Sequence, residues 1–201
     1  MLTISSVVPA IAEPAGATVH SARLTIDMYN LAALSESLLQ ASAQEADRLL
    51  QGLDVAFVWL DCLSPTDPCS SELDRPEFLA VRLVPHALAP ASKNALGMTT
   101  TAANGSCAAV FCDRGFALRT RQILLARILG SVMAHEIIHM LLPTQPHAPY
   151  GLMREEWSAQ DLRIGSQASS GVSKGLADLV HAEAVRRHSC GQRAPEKRAS
   201  D

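Results

Sequence analysis

The chain has 201 residues, 48% of them hydrophobic and 18% charged, with a formal net charge of −3. That length and apolar content suit one domain with a real core. The basic residues are scattered and outnumbered, so there is no electrostatic footprint for nucleic acid or for an anionic membrane surface, and neither is an expected partner.

Residues 1–16, MLTISSVVPAIAEPAG, have small residues where a signal peptidase could cut but lack a positive start and a long apolar core; they read as a weak or truncated export signal. Val19 to Tyr29 alternates apolar and polar residues and predicts a strand with Ala22, Leu24, Ile26 and Met28 on one face. Leu31 to Gln51 has the spacing of an amphipathic helix, ended by Gly52. Asp54 to Leu60 is a nearly continuous apolar run, as expected of a strand covered on both faces, and the order strand, helix, strand predicts a right-handed crossover. Cys62 and Cys69 bracket a turn-rich loop that can close as a small disulfide ring in an exported protein; free thiols in a reducing compartment are the alternative. Glu77 to Pro85 reads as a third strand, and Leu96 to Thr101 with Ser106 to Cys112 as a hairpin about Asn104-Gly105. On that last strand Cys107 and Cys112 would point to opposite faces, and Cys190 is left over near the end.

Ile123 to Leu142 has the length of a membrane span, yet Arg127, His135, Glu136 and His139 interrupt it. The reading is a buried central helix, opened by Arg119 and Thr120 and stopped by Pro143, with no integral membrane span. It carries His135-Glu136-Ile137-Ile138-His139. Two histidines four apart on a helix share one face and can bind one metal ion, and the adjacent glutamate is the residue type that takes a proton from water. A match of this kind arises by chance in roughly one chain in a hundred of this length. A third histidine, His147, follows in a Pro-rich loop over 143–150 that also holds Tyr150. Next come Gly151-Leu152-Met153, a capped helix start at Ser158, a Gly- and Ser-rich turn over 165–175, a helix from Leu176 to Arg187, and a polar tail, 191–201, expected to be disordered. His20, His86, His181 and His188 lack ligand-like spacing and suit surface or capping roles.

His135-Glu136-x-x-His139, then His147, then Gly151-Leu152-Met153, resembles the metzincin clan of zinc endopeptidases, most nearly its matrixin-like members, whose pattern is H-E-x-x-H-x-x-G-x-x-H followed by a methionine turn. The resemblance covers residues 19–165, with specific residues between 135 and 153. Two departures stand out. Leu142 and Pro143 replace the family's helix-breaking glycine, and the family's third histidine falls on Gln145, with His147 two residues further on. The spacing of fourteen residues from His139 to Met153 matches the matrixin-like pattern. His147 is therefore favoured over Gln145, since amides are poor zinc ligands beside imidazole. A thermolysin-like arrangement with Glu155 or Glu156 as third ligand is the competing one.

The resemblance implies a zincin-like α/β (α+β) fold: a mixed twisted sheet packed with a central active-site helix, and a small C-terminal helical lobe. One catalytic domain would span 17–190, with an upper lobe at 17–143 and a lower lobe at 144–190. It implies Zn2+ on His135, His139 and His147, Glu136 as general base, Met153 as an apolar floor, and a peptide or protein substrate. Tyr150 near the metal is a candidate oxyanion partner, against the simpler role of loop packing. Leu96 to Thr100 or Ala108 to Phe111 would offer a sheet edge to an extended substrate. No cysteine precedes Cys62, so a family-style cysteine switch is not expected. The location implied is secreted or cell envelope, with the cytoplasm as alternative. The rival functions are a zinc-binding protein without turnover and a metal-free interaction domain.

Overall fold

The computed structural model describes residues 22–62, 78–102, 105–120, 124–157 and 172–192. Five strands form one mixed sheet: β1 (Ala22–Asn30), β2 (Val55–Cys62), β3 (Phe78–Val84), β4 (Gly97–Ala102) and β5 (Gly105–Phe111), in the order β2-β1-β3-β5-β4. All neighbours run parallel except β4, which is antiparallel to β5. The helices are α1 (Glu36–Leu50), α2 (Cys112–Leu118), α3 (Leu125–Leu141) and α4 (Lys174–Gln192). This is the mixed α/β architecture expected from the sequence.

The apolar residues of β1 on alternate positions, Ala22, Leu24, Ile26 and Met28, join Leu79, Val81, Leu83, Ala108 and Val110 in one core with the buried sides of α1, α3 and α4. Alternation is what a strand needs to give one face to helices. α1 begins later than its apolar spacing suggests, because Asn30 turns the chain first: its side chain bonds both the amide and the carbonyl of Leu34 at 2.9 Å. Ser35 then caps the helix, its hydroxyl accepting from the Leu38 amide.

Three expectations are corrected. The strand at 54–60 is not covered on both faces: β2 is an edge strand, largely half-buried, with Leu60 38% exposed. A continuous apolar run marks a strand but not its place in the sheet. Second, the helix does not open at Arg119 and Thr120. It starts at Leu125, preceded by the short α2, in which Cys112 is the first residue rather than the end of a strand. Gly115 lets α2 lie directly on α3, where a Cβ would stand 3.2 Å from the Leu129 side chain. Third, Ala108 to Phe111 cannot offer an edge, because β5 lies between β3 and β4.

α3 is buried nearly all round, including His135 and Glu136. It lies so close to α1 that a Cβ on Gly130 would meet the Ser42 carbonyl at 2.5 Å. Leu142, at φ −126 and ψ 77, leaves the helical region as a residue before proline must, which ends α3 without a glycine. From the other side α4 contributes Val180 and Ala184 to the core, and Arg187 donates to the Met140 carbonyl at 2.8 Å, supplying a partner at the end of α3. Helix α4 extends to Gln192, past the expected start of the tail. Cys62 is disulfide-bonded, whereas Cys107, Cys112 and Cys190 are free. Cys69, its expected partner, the export signal at 1–16, Asn104 of the hairpin turn, the helix start at Ser158 and the tail beyond 192 lie outside the described residues. Among the described residues no helix is long and apolar enough to cross a membrane.

Candidate metal centre

His135 and His139 lie one turn apart on α3, and the loop after Pro143 brings His147 back to them. Nε2 of His139 stands 3.1 Å from Nε2 of His135 and 3.2 Å from Nε2 of His147. A tetrahedral ion with zinc–nitrogen bonds of about 2.0 to 2.1 Å separates its ligand nitrogens by about 3.3 Å, so the spacing fits such an ion. The ligating atoms of all three residues lie within 4.8 Å of one another, and together they could hold a metal ion.

The turn at 151–153 fixes this geometry. Gly151 adopts φ 80, a left-handed conformation that glycine takes at no steric cost, and the Ala148 amide donates to the Met153 carbonyl at 2.7 Å, closing the loop that carries His147. The Leu152 carbonyl lies 2.8 Å from Nδ1 of His135. A carbonyl can only accept, so Nδ1 carries the proton and Nε2 presents its lone pair. Met153 is buried at 3% exposure within the main core. Trp157 packs its ring edge-on against His135, with centroids 5.6 Å apart.

Burial lowers the pKa of His135 to about 4, opposed by its bond to Leu152 and helped by His139 and His147. Burial also lowers His139, with His147 adding to the effect. Neutral rings are the form that binds a metal. Glu136 shows the reverse: burial pushes its carboxyl up to about 7, while a hydrogen bond from Thr99 pulls it down. That bond, from Thr99 Oγ1 to Glu136 Oε2, is 2.6 Å long.

A cleft opens along this site. One part is lined by Leu96, Gly97, Val132, Glu136, His147 and Trp157, the other by Met98, Thr99, His139 and Pro143. Glu155 and Glu156 stand on the wall of the cleft, and Glu156 accepts from Asn94 at 3.0 Å. Gln145 turns its amide to the Pro146 carbonyl. Among the described residues the ligand atoms that converge are thus those of the three histidines. Tyr150 is 79% exposed, so its ring is not packed in the core. Gly97, Thr99, Trp157 and the Leu152 carbonyl are contributors with no sequence signal of their own.

Among the described residues β4 is the outer strand of the sheet, and it runs beside the cleft. The Phe111 amide bonds the Leu96 carbonyl, which makes 96 and 111 a hydrogen-bonded pair of the antiparallel ladder. The alternate positions Gly97 and Thr99, opposite Val110 and Ala108, then turn their backbone N–H and C=O groups away from β5 and towards the open edge.

No protein-family model and no curated protein matches the sequence. Solved structures do. A zinc-dependent peptidase from Methanocorpusculum labreanum (strain Z) aligns with a TM-score of 0.53 at 13% identity, over 77% of this chain and 99% of that one. The archaemetzincin of Methanopyrus kandleri gives 0.50 at 14% identity, over 80% and 95%. Metalloproteinase-II of Bacteroides fragilis gives 0.52 at 13%, over 85% of this chain and 55% of its own length. At such identities the likeness is one of fold: this chain has the fold of zinc-dependent peptidases.

Proposed function

We propose that the chain is a zinc-dependent endopeptidase of the metzincin kind, with His135, His139 and His147 as metal ligands and Glu136 as general base. The observation that carries this reading is the convergence of three Nε2 atoms, 3.1 and 3.2 Å apart in sequence along the cluster, in a cleft that also contains a buried carboxylate. A structural zinc site has no use for that carboxylate, which argues against a metal-binding protein without turnover. The fold shared with zinc-dependent peptidases supports the same conclusion.

Bound there, zinc supplies Lewis acidity towards a peptide carbonyl and the water that attacks it. The chain's own groups do the rest. The substrate lies extended along β4, bonded by the outward backbone groups of Gly97 and Thr99. Glu136 takes a proton from the attacking water and passes it to the departing nitrogen, a role suited to a buried carboxyl held in place by Thr99. His135 is kept in the ligating tautomer by Leu152, and the turn at Met153 keeps that carbonyl in place. The disulfide at Cys62 supports secretion or a cell-envelope location.

The test is cleavage of a peptide library by the zinc-loaded protein and by Glu136→Ala. Cleavage by the wild type, lost by at least a hundredfold in the variant while zinc stays bound, is the expected result. Equal cleavage by both would contradict the mechanism, and zinc binding without cleavage by either would leave a metal-binding protein.

A further inference from the structure

Glu136 is held from outside its own helix. The hydroxyl of Thr99, on the edge strand, lies 2.6 Å from Oε2 and 3.2 Å from the Glu136 carbonyl. A threonine hydroxyl has one proton, and the short contact to the carboxylate is the stronger, charge-assisted one. The second oxygen is accommodated by a different device. Gly97, two residues earlier on the same face of β4, has no side chain, and a Cβ there would stand 2.7 Å from Oε1 and 3.0 Å from Cγ of Glu136. The carboxylate therefore spans one strand, Oε2 tied to position 99 and Oε1 over the bare backbone of position 97, which lines both parts of the cleft.

We infer that Thr99 is a positioning residue for Glu136: its hydroxyl fixes Oε2 so that Oε1, over Gly97, is the oxygen left to exchange the proton. The inference rests on the peptidase reading for its catalytic consequence but not for its geometry. A carboxylate has a soft terminal torsion. Without the hydroxyl it turns freely, and the base spends less time aimed at its proton. Because positions 97 and 99 also direct their backbone groups to the open edge, the segment that would bind substrate is the one that aims the base. Substrate affinity should depend on the strand's backbone, which Thr99→Val leaves in place, whereas turnover depends on the hydroxyl.

Thr99→Val, which keeps the branched shape, and Thr99→Ser, which keeps the hydroxyl, separate these roles. With a cleavable peptide, Thr99→Val should lower kcat on the order of tenfold to a hundredfold with KM within about twofold, and Thr99→Ser should recover most of the loss. Zinc affinity, read by chelator competition, should match the wild type in both. A crystal structure of metal-free Thr99→Val should find the Glu136 carboxylate turned from its wild-type orientation. An unchanged kcat, a serine variant as slow as the valine one, a parallel loss of zinc, or an unmoved carboxylate would overturn the inference. If the wild type cleaves no peptide, the peptidase reading fails, and the carboxylate's orientation in the variant still decides whether Thr99 holds it.

Discussion

Two buried groups on adjacent residues of α3 titrate in opposite senses. Glu136 has its pKa raised from 4.5 to about 7, chiefly by burial, so the folded chain holds its proton more tightly than the unfolded chain does. Its contribution to stability is complete below about pH 4.5 and is lost as pH rises through 7. His135, lowered from 6.5 to about 4, contributes stability that is complete above about pH 6.5 and lost as pH falls through 4. The two slopes oppose each other over nearly the same window. Glu136→Gln removes one of them. In the metal-free protein the unfolding free energy of this variant, read by denaturant titration, should therefore gain on the wild type as pH rises from 5 to 8, with a difference approaching about 3 kcal/mol at most. A gap that stays constant with pH would mean that Glu136 ionises normally in the folded chain. The proposed ligands and base were legible in the sequence, because a metal imposes spacing: His135 and His139 stand one helical turn apart with Glu136 beside the first, and His147 follows from the need for a third nitrogen. Thr99 and Gly97 were not, since they meet Glu136 from a strand 37 or more positions away and nothing local marks them.

Between elements, the close approach of α1 and α3 positions the helix that carries His135 and His139. Gly130 permits it, because any Cβ would press on the Ser42 carbonyl and on Glu45. Gly130→Ala should cost about 1 to 3 kcal/mol by overpacking, against the gain that alanine normally brings to a helix interior. Urea denaturation checks this, and an unchanged or higher midpoint would contradict the packing. The strands and long helices were legible from periodicity, but their order in the sheet was not. The alternating strand, β1, proved an interior strand, between β2 and β3, and the continuous apolar one, β2, proved an edge. In β1 the face away from the main core is closed only in its second half, where Asp27 is 0% exposed while Arg23 at the start is exposed, so a polar residue marked as outward is buried. In β2, Trp59 instead bonds Asp47 of α1 at 2.8 Å and remains half-buried. α2 escaped notice because seven residues with a central glycine carry little helical signal and depend on contact with α3.

Across the whole molecule, the last described helix, α4, is tied to α3, which carries His135 and His139. Arg187 reaches from α4 to the Met140 carbonyl, one residue after His139, and bonds Glu183 at 2.8 Å on its own helix. Ser106 of β5 also donates to that carbonyl, at 3.3 Å. Arg187→Ala should destabilise the chain by about 1 to 3 kcal/mol, because a charged hydrogen bond at a helix terminus is lost, and the effect should persist in the metal-free protein. A loss seen only with metal bound would place the role of Arg187 in the site rather than in the fold. In this arrangement one core receives all three long helices.

The most direct measurement is anomalous scattering at the zinc edge from a crystal of the zinc-loaded protein. The expected result is one peak about 2.0 to 2.1 Å from Nε2 of His135, His139 and His147 together, with Glu136 beside it and not bound to it. A peak coordinated by Glu155 or Glu156 in place of His147, or no peak among the three rings, would contradict the assignment of this cleft as a three-histidine zinc site.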